Sequence, residues 1–190
     1  MKSLINYISE RLVIFPSQVD ERLVIFPSQV NERLVVNKDY NDPYTCAPAS
    51  WEELRKIIED RYYKLGPGTK QKPIDFNDVD VSNIDSFYNK DTNNGIFDET
   101  KFEYIDISDW DVSNVKNMMG TFYGCKNLKS VGDLSKWNVS KVKNMSYMFH
   151  VCVQLKSVGD LSNWNVSKVK NTFCMFMNSG ITNKPDWLKK

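Results

Sequence analysis

The chain has 190 residues, room for one domain of ordinary size and an appendage. With 41% hydrophobic and 26% charged residues it has the make-up of a globular protein rather than a disordered one, and no apolar run approaches the roughly 18–20 residues of a bilayer-crossing helix. The net charge of +1 hides an asymmetry: residues 1–108 hold 13 Lys/Arg against 19 Asp/Glu, whereas residues 109–190 hold 12 lysines against five aspartates, which marks an acidic leading part and a basic trailing part with different jobs.

The first residues, MKSLINYISERLVIF, contain no uninterrupted apolar segment and no small-residue cleavage site, and no cysteine near residue 20 offers itself to a lipid. The expected location is therefore cytoplasmic, with the extracellular surface as the alternative. Ser3 as an N-cap and Leu4, Ile5, Ile8 and Leu12 on one face predict a first helix. Residues 10–36 then repeat with a period of 11: ERLVIFPSQVD, ERLVIFPSQVN, ERLVV. The RLVIF runs have strand composition, and Pro16 and Pro27 block their continuation. Three readings stand: a tandem duplication forming a tail or a short edge strand, a duplicated docking peptide that adds a strand to a partner's sheet, or a site of processing at SQV.

A clearer helix follows in APASWEELRKIIEDRYYKLGPG. Ser50 and Glu53 make a capping box. Trp51, Leu54, Ile57, Ile58, Tyr62 and Leu65 form an apolar stripe, and Gly66 and Pro67 end it. The organisation read from these signals is an N-terminal segment over 1–45, a capping helix within 46–70 and a repeat region over 71–190.

That repeat region is built on a period of 27. WDVSNVKN, WNVSKVKN and WNVSKVKN open three successive units at Trp110, Trp137 and Trp164. A degenerate unit, VDVSNIDSFYN, precedes them from Val79, and the third is cut short. A period of this size signals stacked units that bury a common core. Equivalent positions should then form columns. The apolar ones are Trp110, Trp137 and Trp164; Phe122, Phe149 and Phe176; Met118 over Met145; and rows of Val and Leu. Asn117, Asn144 and Asn171 recur as polar members that satisfy backbone groups at a bend. Cys125 and Cys152 occupy one position and read as small buried side chains, a disulfide between neighbouring coils being the alternative. Within each unit, NLKSVGDLS and QLKSVGDLS read as extended. NMMGTFYGC, NMSYMFHVC and NTFCMFMNS have the i, i+4 spacing of a short helix. The expected fold is thus α/β: a short leucine-rich-repeat-like solenoid with one short strand and one short helix per coil and a helical N-terminal cap. Trp187 and Leu188 should close its far end.

DLSKWNVSKVKNMSYMFHVC resembles the repeat of BspA-type leucine-rich-repeat proteins, D-L-S-x-W-[DN]-[VT]-S-x-V-x-x-M-x-x-M-F-x-x-C, at Leu134, Ser135, Trp137, Val139, Ser140, Val142, Met145, Met148, Phe149 and Cys152. The likeness is strongest over residues 106–178 and weaker back to Ile74. It implies a right-handed solenoid and a binding or adhesion module without catalytic residues in the repeat. The N-terminus is also similar to that of small repeat proteins encoded by tailed phages of gut bacteria, which would make the protein virion-associated.

Little in the chain promises chemistry. His150 is the one histidine and has no motif around it, so it reads as a surface or boundary residue. No nucleotide-binding, hydrolase or zinc-protease motif occurs. Asp75–Asp85 has the spacing of a calcium loop but lacks Gly at its sixth position and Glu at its twelfth. No cofactor, metal or enzymatic activity is expected. Lys116, Lys141, Lys143, Lys168 and Lys170 recur on the exposed side of the units and are the candidate binding surface. The leading expectation is a non-catalytic protein–protein interaction module with an unknown protein partner. A bacterial surface or adhesion protein is the alternative, and nucleic-acid binding through the lysine ladder is a third reading.

Overall fold

The computed structural model describes residues 46–189. The first predicted helix and the duplicated eleven-residue peptide lie outside them. The helix α1 spans Trp51–Leu65. Ser50 Oγ accepts from the Glu53 N–H at 3.2 Å, while the Glu53 carboxylate accepts from Ala49 N–H at 2.7 Å, one residue upstream of a standard capping box. Gly66, at φ 77°, ends the helix with its N–H on the Tyr62 carbonyl. Leu54 and Ile58 are fully buried, and Trp51, Ile57 and Tyr62 pack half-buried beside them. Leu65 is the exception in the stripe and faces solvent. Among the described residues no helix is long and apolar enough to cross a membrane.

The leucine-rich-repeat-like solenoid with a strand and a helix in every coil does not form. The described residues contain one α-helix and two sheets of two strands each. β1 (Ile74–Asp75) pairs in parallel with β4 (Ile105–Asp106), and β2 (Tyr88–Asn89) pairs antiparallel with β3 (Asn94–Gly95). None of these elements falls in the regular 27-residue units.

Two local causes account for the difference. In the segments expected to be helical, left-handed residues recur at every fourth position: Gly120 and Gly124, then Tyr147 and Val151, then Cys174 and Asn178, with φ between 54° and 69°. A right-handed helix cannot propagate through such residues. The i, i+4 spacing of Met118 and Phe122 therefore reports consecutive tight turns. Some N–H groups bond three residues back, as Thr121 to Met118, Tyr123 to Gly120 and Cys125 to Phe122. Those between them leave the unit, from Met118, Gly120, Phe122 and Gly124 to the carbonyls of Asn144, Ser146, Met148 and His150, at 2.8–2.9 Å. Met145, Tyr147, Phe149 and Val151 donate in the same way to Asn171, Phe173, Met175 and Met177. In the segments expected to be extended, Gly132 and Gly159 turn the chain at φ 83° and 87°. Asp133 and Asp160 then accept the N–H of Ser135 and Ser162 at 2.9 Å, starting the 3-10 turns Leu134–Lys136 and Leu161–Asn163.

The units nevertheless lie on one another in register. Parallel bridges join Ser86, Asn117, Asn144 and Asn171 in sequence. The indoles of Trp110, Trp137, Trp164 and Trp187 stack at 6.5, 6.5 and 6.4 Å, tilted by 7°, 2° and 15°. Each indole N–H also donates one layer back, to the carbonyls of Phe76, Ile107, Leu134 and Leu161. Phe97, Phe122, Phe149 and Phe176 form a second column at 5.2–5.4 Å. The side-chain oxygens of Asn117, Asn144 and Asn171 accept the N–H two residues on and hold the bend. A unit alone would leave its outward N–H groups without acceptors, which is the physical reason neighbours are required.

The described cysteines are all free. Cys125 and Cys152 are fully buried and donate their thiols to the carbonyls of Phe97 and Phe122 at 2.9 and 3.0 Å. Burial pushes the Cys125 thiol up to about 12 and drives Cys152 in the same direction, so neither is a nucleophile at neutral pH.

Candidate interaction surface

At the front of the stack, β2 and β3 form a hairpin inserted into the degenerate unit. Helix α1 covers this end. Trp51 Nε1 shares the Phe87 carbonyl with the Ile96 N–H, at 3.3 and 2.8 Å, and Arg55 Nη1 reaches the carbonyls of Ile96 and Asp98, just past β3, at 3.0 and 3.2 Å. Beneath this cap, Asp98 Oδ1 is buried without a hydrogen-bond partner. Burial first, and then the charge of Glu99, push the Asp98 carboxyl up to about 6, with Arg55 opposing in part.

This shift has a sign that can be checked. The folded state holds the Asp98 proton more tightly than the unfolded chain does, so this group favours folding most below about pH 4 and progressively less as pH rises to about 6. Allowing for solvent screening, the penalty at neutral pH is about 1 kcal/mol. Asp98→Asn should therefore raise the urea midpoint at pH 7 and flatten its fall between pH 4 and 6. Parallel pH profiles for the two proteins would refute the assignment. Asp133 and Asp160, held low by the N–H groups of Ser135 and Ser162, act in the opposite sense and only at lower pH.

The consecutive turns present the outer edge of each unit to solvent. Tyr123, Phe173 and Met177 are exposed there, whereas Ser146, at the position equivalent to Phe173, is buried with its hydroxyl on Asn144 Oδ1. At these positions the repeat is not kept: Met119, Ser146, Phe173 and Tyr123, His150, Met177. The result is an aromatic cluster. Tyr123 stacks on His150 at 5.3 Å; Tyr147 meets His150 edge-on at 5.4 Å and Phe173 at 5.5 Å. Phe173 is 63% exposed, Met177 49% and Tyr123 37%. His150 Nδ1 is buried without a partner. His150 thus sits at a boundary but belongs to a cluster that the sequence alone did not single out. The usable signal was the breakdown of the repeat at three positions of the turn segment, those of Phe173, Tyr147 and Tyr123.

The lysines of the proposed surface lie on the adjoining stretch. Lys116, Lys143 and Lys170 are tied through their backbones: the N–H of Lys143 bonds to the Lys116 carbonyl and that of Lys170 to the Lys143 carbonyl, both at 2.8 Å, and the Lys116 N–H bonds to the Asp85 carbonyl at 2.7 Å. Lys116 Nζ is neutralised by Asp85 at 3.0 Å, and Lys141 Nζ donates to Asn114 at 2.7 Å. Lys143, Lys168 and Lys170 are exposed. The positive charge left over therefore gathers toward the last layer. On another side, a shallow groove of about 560 Å³ is lined by Lys70, Tyr104, Asp106, Lys129, Ser130 and Lys156 among others. Lys129 there binds Glu103 at 2.6 Å and lies over the Tyr104 ring. No histidine or thiol lines it.

The family described as "Mycoplasma protein of unknown function, DUF285" matches residues 90–187. The chain belongs to this family. The DUF285 match takes in the β2–β3 hairpin's second strand, all three tryptophan-led units, the aromatic cluster and Trp187. No curated protein and no solved structure matches the chain.

Proposed function

We propose that this DUF285 protein is a non-catalytic protein-interaction module that binds a partner protein along the turn edge of its stacked units. The observation that carries this reading is the surface cluster of Tyr123, Tyr147, His150 and Phe173, with exposed Met177 on the same turn segment. Large aromatic side chains held together at a surface, beside an exposed methionine, have the composition of an interface centre. The BspA-type repeat motif supports the same reading, since that resemblance implies binding rather than turnover.

The test is affinity capture with the whole chain against a variant carrying Tyr123→Ser and Tyr147→Gly. Gly120 stands at the position equivalent to Tyr147, which has φ 58°, so glycine suits that backbone. Partner recovery should fall by about tenfold or more, as expected for loss of aromatic anchors, with an unchanged circular dichroism spectrum. Equal recovery by both proteins would overturn the assignment of this face.

A further inference from the structure

The two ends of the stack are chemically opposite. Along the row of tight turns each layer offers carbonyls toward the front and N–H groups toward the rear, while the ladder through Lys116, Lys143 and Lys170 runs the other way. At the front, the carbonyls of Ile96 and Asp98 occupy the places of Thr121 and Tyr123 one layer on, whose carbonyls accept from Phe97 and Glu99. They have no preceding layer, and the Arg55 guanidinium of α1 serves them instead. A cationic side chain thus ends the row of acceptors.

At the rear the row is one of donors. The N–H groups of Thr172, Cys174, Phe176 and Asn178 are equivalent to those of Met145, Tyr147, Phe149 and Val151, which bond to the next layer. Among the described residues these four find no acceptor. Trp187 continues the indole column over Trp164 but supplies none to this row. Phe173 and Met177, both largely exposed, flank it, and Lys168 and Lys170 are exposed on the same layer.

We infer that this end binds an acidic peptide segment of a partner protein, whose carboxylates and carbonyls take the four N–H groups while its apolar side chains cover Phe173 and Met177. The inference rests on the interaction-module reading and names the partner's chemistry. An ordinary β-strand presents donors and acceptors in alternation along one edge, so it matches an all-donor row poorly. Carboxylates offer acceptors only, and hydrogen bonds from backbone N–H to a charged acceptor are the stronger kind. The uncompensated lysines of the last layer favour the same sign of partner, and electrostatic complementarity of this kind also speeds encounter.

The experiment is an amide NMR titration of the full chain with a short synthetic Glu/Leu peptide, and in parallel with its Lys/Leu counterpart. The Glu/Leu peptide should shift the amides of Thr172, Cys174, Phe176 and Asn178, and the Lys/Leu peptide should not. Lys168→Glu with Lys170→Glu, both on exposed side chains, should weaken the Glu/Leu peptide by about tenfold, as should raised salt. Absence of shifts at the four amides, or equal shifts with both peptides, would overturn the proposal. So would shifts at these amides that grow with protein concentration before peptide is added, which would assign the end to a second copy. The Tyr123→Ser, Tyr147→Gly variant is titrated alongside. If it binds the peptide normally yet still captures its partner like the parent chain, the lateral face fails while the end site stands.

Discussion

Trp137→Ala should destabilise the protein by about 4 kcal/mol, measured as a lowered urea midpoint at unchanged slope. Trp137 is 4% exposed and sits between two parallel indoles, Trp110 and Trp164, each 6.5 Å away. Removing it leaves a slot that neither neighbour can fill without breaking its own hydrogen bond one layer back, from Trp110 to Phe76 and from Trp164 to Leu134. The Ile107 carbonyl also loses its donor. Two comparisons separate these contributions. Trp137→Phe keeps a ring but no N–H and should lose about 1–2 kcal/mol. Trp187→Ala removes a half-buried ring with a neighbour on one side only, so it should lose about half as much as Trp137→Ala. If Trp137→Ala proves no worse than Trp187→Ala, the indole column is not what holds the layers together.

The columns were legible because they rest on repetition. A side chain that recurs every 27 residues beside the same neighbours has little choice but to meet its counterpart, and Trp110, Trp137, Trp164, Phe122, Phe149 and Phe176 do meet. The extension of both columns was harder to see. Phe97 sits in an insertion and Trp187 breaks the period, yet each completes a stack. Local conformation was read less well. Periodicity locates which residues face inward but does not say how the chain gets from one to the next. The spacing from Met118 to Phe122 suits a helix turn and a pair of tight turns equally. The distinguishing clue was present in the first unit, where Gly120 and Gly124 stand four apart. Tyr147 and Val151 conceal it in the second unit, because a tyrosine and a β-branched valine rarely adopt positive φ. They are held there by the bonds their N–H groups make to Phe173 and Met177.

The candidate surface was legible only in part. Charge counting found the lysines, since their sign is written in the sequence, but not that Asp85 neutralises Lys116 and leaves the rear of the row uncompensated. The aromatic cluster escaped because Tyr123, His150 and Phe173 are far apart in sequence and belong to no repeating column. Their proximity follows from the register of the layers, which in turn follows from the tryptophans and asparagines. The structural repeat thus fixes the places at which non-repeating side chains gather, and those are the positions free to differ from unit to unit.

The closeness of the layers can be tested at a point where no side chain can give way. Gly95 ends β3 and is buried against the next layer. A Cβ there would lie 1.9 Å from the Gly120 carbonyl oxygen, 2.4 Å from its carbon and 2.9 Å from the Thr121 nitrogen. All three are backbone atoms, so relief requires the hairpin to move away from the first regular unit. That movement would lengthen the bond from Phe97 N–H to the Thr121 carbonyl, now 2.9 Å, and part the rings of Phe97 and Phe122, now 5.2 Å apart. Gly95→Ala should therefore lose about 3 kcal/mol, the upper range of overpacking. The control is Gly66→Ala. Gly66 also has an unusual backbone, at φ 77°, but open space around it, so only conformational strain of about 1 kcal/mol is expected. Hydrogen exchange localises the effect: protection at Phe97 and Glu99 should fall in Gly95→Ala while that at Tyr147 and Phe149, two layers away, is retained. Equal losses for the two glycine variants would mean that the hairpin does not pack on the first unit at this distance, and α1 would then be covering the hairpin alone rather than the end of the stack.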